Sequence, residues 1–169
     1  EILRCLVGSE MCIRDRIRTE ADELTYCLHI MVRYELERRM FAGELTAHDL
    51  PAEWNRLYKA YLGVDVPNDR EGILQDSHWA NGNIGYFPSY AIGSAYGAQY
   101  LRQMQKDLDV SAAVATGRLT QINCWLEEKI WKYGCMKDPT PLFESVCGPF
   151  DPTCYTAYLR DKFTEVYGL

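Results

Sequence analysis

The feature that most constrains this chain is a helical period that starts at Ile17. Ile17, Ala21, Leu24, Leu28 and Met31 recur at three- and four-residue spacing, and the pattern continues through a Glu/Arg-rich stretch to Gly43. Glycine suits the position just past a helix C-terminus, so the spacing predicts one long helix ending there. Beside the apolar stripe runs a polar one, made by Arg18, Asp22, Thr25, His29 and Arg33. The remaining side carries Tyr26, Cys27, Ile30 and Tyr34. A helix that is apolar on more than one flank is expected to be largely buried, and its polar stripe must then find partners or line a cavity.

Further helices follow from their punctuation. Asp49 is a good N-cap, Pro51 and Glu53 fit the first turn, and Trp54, Leu57 and Tyr61 mark an inner face before Gly63. Gly72 to Pro88 is rich in glycine and reads as mostly irregular. A third helix is expected from about Ser89 to Leu108, where Ala91, Gly93, Ala95, Gly97 and Ala98 point to close backbone packing. Three more are expected: about Leu119 to Tyr133, about Pro141 to Cys147, and from Asp151-Pro152 to near Gly168. The fold class is all-α, and 169 residues are enough for one domain with a real core.

The net charge of −6 argues against a nucleic-acid surface. No apolar run reaches the ~20 residues that span a bilayer, which argues against a membrane protein. Cysteines at positions 5, 12, 27, 124, 135, 147 and 154 include no C-x-x-C pair, and their odd number fits reduced thiols in a cytoplasmic protein. They are expected to act as small buried hydrophobes. Residues 1–16 follow neither helix nor strand spacing and look like a translated adapter, so we set them apart as a non-native leader.

Two segments carry more than packing. The first is Ile17-Arg18-Thr19-Glu20-Ala21-Asp22. The second is Gly72-Ile73-Leu74-Gln75-Asp76-Ser77-His78-Trp79, followed by Gly85-Tyr86-Phe87-Pro88-Ser89-Tyr90. In that order they match the I-R-x-x-A-D and G-x-x-Q-D-x-H-W motifs of the carboxypeptidase Taq family, which residues 17–169 resemble as the C-terminal part of such a metallocarboxypeptidase. The resemblance implies zinc (with cobalt often substituting), peptide substrates with a free C-terminus, and a homodimer. Zinc held by H-E-x-x-H needs two imidazoles one helical turn apart. This chain has only His29, His48 and His78 and no such motif, so no metal ligand is assigned here. The family's zinc segment lies upstream of I-R-x-x-A-D, and the missing N-terminal part of the enzyme becomes an expected partner. The chain alone is expected to be inactive.

By resemblance, Arg18 takes the substrate carboxylate, a role that suits its planar fork. The plainer alternative is a helix-surface pair with Asp22, worth about 0.3–0.5 kcal/mol. His78 and Tyr90 are assigned as donors to the oxyanion, Tyr86 as a substrate contact, and Asp22 and Asp76 as supporting residues, with Asp76 orienting His78 or its loop. Gln75 and Trp79 are read as structural, His29 as a satisfied buried histidine, and His48 as solvated. The run Glu35-Leu36-Glu37-Arg38-Arg39 reads as a charged helix face. The competing reading is a non-catalytic helical interaction module. The two differ in whether Arg18, His78, Tyr86 and Tyr90 converge or scatter.

Overall fold

Proline, aspartate and glycine set most of the helix boundaries seen in a computed structural model of the chain, which describes residues 16–169. The helices are α1 (Tyr26–Phe41), α2 (Leu50–Leu62), α3 (Pro88–Asp107), α4 (Val110–Ala115), α5 (Leu119–Lys129), α6 (Pro139–Cys147) and α7 (Thr153–Tyr167). Short 3₁₀ turns cover Arg18–Glu20 and Trp131–Met136, and the described residues contain no strand. The chain forms two compact units, one ending at Ile92 and one spanning Gly93–Leu169. The leader assigned to residues 1–16 lies outside the described residues except for Arg16.

The first helix is a correction. Helical spacing from Ile17 does not give a helix there, because the 3₁₀ turn closes at Ala21 in an extended conformation (ψ 144°). Asp22 Oδ1 then accepts from the Thr25 backbone N–H at 2.8 Å and from its hydroxyl at 2.9 Å. The extended Ala21 breaks the helical path, and this capping bond, with the Asp22 carbonyl accepting from Tyr26 N–H at 2.9 Å, opens the turn that leads into α1 at Tyr26. Apolar side chains at helical spacing before that point were matching a loop.

The orientation of α1 is the larger surprise. His29, Ile30, Val32, Arg33, Leu36 and Glu37 face inward, whereas Met31, Tyr34 and Phe41 are exposed. Met31, expected on the buried stripe, is 44% exposed, while Arg33 is fully buried. The polar stripe therefore points into the protein. Val32 and Leu36 pack with Trp54, Leu57, Tyr58 and Leu62 of α2 to form the core of this unit. Full burial of such side chains is worth about 1.5–3 kcal/mol each.

Asp49 stands at the predicted N-cap of α2, yet its carboxylate closes the turn before the helix by accepting from Thr46 N at 2.9 Å. Gly63 ends α2 with φ 74°, a left-handed conformation that glycine adopts without strain. In the second unit, the short helix α4 falls in a stretch with no predicted element. Residues 131–133, expected to continue α5, form part of a 3₁₀ turn. A Cβ added at Gly93 or Gly97 would meet nothing within 4 Å, so neither glycine makes the close packing expected of it. The thiols also differ from expectation. Of the five described, Cys154 is buried, Cys27 and Cys147 are half-buried, and Cys124 and Cys135 are exposed.

Candidate functional site

The two motifs, far apart in sequence, meet at one carboxylate. Arg18 Nε and Nη2 donate to Asp76 Oδ1 at 3.0 and 2.8 Å, while Arg33 Nε donates to Asp76 Oδ2 at 2.7 Å. Arg18 Nη1 also donates to the Tyr26 hydroxyl at 3.1 Å, and Arg33 Nη1 to the His29 carbonyl at 2.7 Å. Arg18 is 8% exposed and Arg33 fully buried. The ring of buried Phe87 lies 5.7 Å from the Arg18 guanidinium carbon and 5.2 Å from that of Arg33, so cation–π contact adds to the ion pairs. Burial alone pushes the Asp76 carboxyl up, but hydrogen bonds and charge from both arginines outweigh it and hold it below the usual carboxylate range.

The backbone delivers these groups. Gly72 sits where a Cβ would come within 2.8 Å of Val66 Cγ1 and 3.2 Å of the Asn68 carbonyl, so any side chain there would force both neighbours to shift. Three residues on, Gln75 Oε1 accepts from the Arg18 backbone N–H at 2.8 Å and its amide donates to Tyr58 at 3.2 Å, tying both motifs to α2. The alternative pair between Arg18 and Asp22 does not form. The break at Ala21 takes the two off a common helix face, and Asp22 is engaged by Thr25.

Next to this cluster stand His78, Tyr86 and Tyr90. His78 Nε2 lies 3.2 Å from the Tyr90 hydroxyl, which is in the first turn of α3. The Tyr86 ring stacks on His78 at 5.9 Å and meets Tyr90 edge-on at 5.3 Å. The Arg18 guanidinium carbon is 5.3 Å from the Tyr90 ring centroid. Tyr86 is 49% exposed, so its ring is available to a ligand. Arg18, His78, Tyr86 and Tyr90 thus come together within one unit. Asp76 is placed differently from expectation: it is saturated by arginines, and His78 Nδ1 is 3.9 Å away, beyond hydrogen-bond range.

Glu37 was read as part of a charged surface run, and it is 4% exposed. Its carboxylate accepts from the Trp79 indole N–H at 2.6 Å and from the Gly85 backbone N–H at 3.2 Å. Gly85 has φ 73°, which turns its N–H toward this acceptor. Both ends of the loop between His78 and Tyr86 are thereby pinned to α1. Sequence spacing held a signal for this, since 33 and 37 are one helical turn apart on the same face as buried Ile30. His29 is buried as expected, with Nδ1 3.0 Å from the Tyr58 hydroxyl. Burial first, then the charges of Arg33 and Arg18, push it down to about 3 and keep it neutral. His48 is exposed.

These residues do not make a metal site. Among the described residues no three His, Cys, Asp or Glu side chains converge as ligands. Of the histidines, His29 is committed to Tyr58, His78 faces Tyr90, and His48 stands on the surface.

Known proteins resemble this chain over most of its length. A family profile described as carboxypeptidase Taq (M32) metallopeptidase matches residues 11–163. The chain is 44% identical to Carboxypeptidase 1 of Bacillus subtilis over 89% of its length, and 41% identical to Thermostable carboxypeptidase 1 of Pyrococcus furiosus over 88%. In each case it spans 30% of the relative. The crystal structure of an M32 carboxypeptidase from Deinococcus radiodurans superposes with a TM-score of 0.88 at 39% identity, covering 92% of this chain and 32% of that one.

Proposed function

This chain belongs to the carboxypeptidase Taq (M32) metallopeptidase family, and on that premise we propose that it forms the substrate-facing part of a metallocarboxypeptidase that releases C-terminal amino acids from peptides. The observation that carries the reading is the convergence of Arg18, His78, Tyr86 and Tyr90 around Asp76. Residues outside this chain would hold the metal, which the resemblance assigns as zinc.

Each residue has a task in this reading. A guanidinium has five N–H donors, and Arg18 commits three of them, two to Asp76 and one to Tyr26. One N–H remains on each Nη nitrogen, the number that a substrate carboxylate needs for a paired contact. Asp76 fixes the plane of that fork. Asp22 supports it by capping the turn into α1, the helix that carries Arg33, through Thr25. His78, with its proton on Nε2, donates to the Tyr90 oxygen, and the phenol O–H donates to the oxygen that becomes negative as the peptide carbonyl is attacked. In that sense His78 and Tyr90 are the two donors of one relay. Tyr86, exposed beside them, packs against the substrate.

The exposed Met31, Tyr34 and Phe41 of α1 form the surface on which the remainder of the enzyme would dock. A cytoplasmic homodimer is the corresponding assembly. The test is direct. Chain incubated with a blocked dipeptide and excess Zn²⁺ is expected to release no amino acid, yet to bind the blocked dipeptide in preference to its C-terminal amide. Chelator-sensitive turnover would refute the absence of ligands here, and equal binding of acid and amide would refute the carboxylate site.

A further inference from the structure

One carboxylate serves two guanidiniums in this site, and the charges do not cancel. Asp76 takes Arg18 on Oδ1 and Arg33 on Oδ2, so the three side chains sum to one positive charge. His29, which lies against Arg33 through its carbonyl, is neutral and adds nothing. Asp22 is exposed and bonded to Thr25, so water screens its charge. Arg33 is fully buried, with hydrogen bonds to Asp76, the His29 carbonyl and the Tyr58 hydroxyl, and its burial keeps it from meeting a ligand. Of the two arginines, Arg18 is the one that keeps some exposure, at 8% against none for Arg33.

If Arg33 were absent, Arg18 and Asp76 would form a neutral pair. A peptide carboxylate approaching that pair would meet the Asp76 anion on the far side of the guanidinium that should attract it. Arg33 offsets that anion from behind. We infer that Arg33 is a positioning residue that acts through Asp76, leaving Arg18 with uncompensated positive charge and so making the site selective for a free C-terminal carboxylate over an uncharged end. The inference rests on the carboxylate-binding reading of Arg18 and adds to it the residue that sets the charge. Packing supports the placement: Trp54 lies against the Arg33 guanidinium at 4.6 Å and Phe87 at 5.2 Å, so little solvent screens its charge.

The experiment measures binding of an N-acyl amino acid and of its amide to the chain by NMR titration, in wild type and in three variants. Arg33→Met is expected to reduce the acid-over-amide preference by about tenfold, with amide binding little changed. Arg33→Lys, which keeps the charge, should retain most of the preference. The double variant Arg33→Met with Asp76→Asn removes one charge of each sign. It should recover the preference even though both ligands bind more weakly, an outcome that a purely structural role for Arg33 would not give. The double variant also leaves no unpaired buried anion should Arg33→Met alone fold poorly. Unchanged selectivity in Arg33→Met, or equal loss of acid and amide binding without recovery in the double variant, would overturn the inference while leaving the Arg18 reading intact. A wild-type chain that does not prefer the acid would overturn both.

Discussion

The two units of this chain bury different things. The first buries Arg18, Thr25, His29, Arg33 and Glu37 along with its apolar core, whereas Gln99 is the one buried polar side chain identified in the second. Gln99 does backbone work, donating to the Pro149 carbonyl at 2.9 Å and accepting from Asp151 N–H at 2.9 Å. The core around it is aromatic, with Tyr96 stacked on Phe143 at 3.9 Å. Charges are costly to bury and are kept only where partners or chemistry require them. The difference sets a first unit built around buried charges against a second held by ordinary packing.

The largest effects should come from removing one central group in each unit. Asp76→Ala leaves two buried guanidiniums without their shared anion and is expected to cost about 3–5 kcal/mol in urea unfolding. Phe143→Ala, which removes a fully buried ring, should cost about the same, 3–5 kcal/mol, through a cavity.

A pH series separates the units more finely. His29 is held at about 3 in the folded protein against an ordinary value of 6.5, so the unfolded chain takes up a proton that the folded one refuses. Its stabilising contribution is complete above pH 6.5 and is lost progressively as pH falls toward 3. Asp76, also lowered, adds a further loss at more acid pH, as its carboxylate is protonated. His29→Leu should flatten most of the stability change between pH 6.5 and 3, measured as urea midpoints across that window. An unchanged slope between pH 6.5 and 4 after the substitution would show that His29 is not its source.

Glu37→Gln should cost about 1–3 kcal/mol, because an amide cannot accept from both Trp79 and Gly85. Hydrogen exchange should quicken at the Gly85 amide and the Trp79 indole. The smallest effect is expected in α3, where Gly93→Ala and Gly97→Ala meet open space and should each stabilise by about 0.5–1 kcal/mol.

Much of the helical layout was legible because local chemistry decides helix ends. Pro51 and Gly63 bound α2, Gly148 ends α6, and Asp151 opens α7 by accepting from Thr153 N–H at 2.9 Å. The start of α1 was not legible, since the extended Ala21 and the capping bond of Asp22 after it are features that apolar spacing does not register. The site was legible in part. The two motifs named Arg18, Asp76, His78 and Tyr90, and the polar stripe through His29 and Arg33 announced that it needed partners. Glu37 stayed hidden in a Glu/Arg-rich run. Spacing fixes which residues share a face, but which face turns inward is set by tertiary partners such as Trp79 and Asp76.

The central claim is that Arg18 offers its remaining N–H pair to a substrate carboxylate from within a cluster that bears one net positive charge. It is tested most directly by following the Arg18 side-chain nitrogen resonances while an N-acyl amino acid is added. The account predicts that these resonances shift and saturate with the acid and barely move with the matching amide. Resonances that respond to neither ligand, or to both alike, would contradict it.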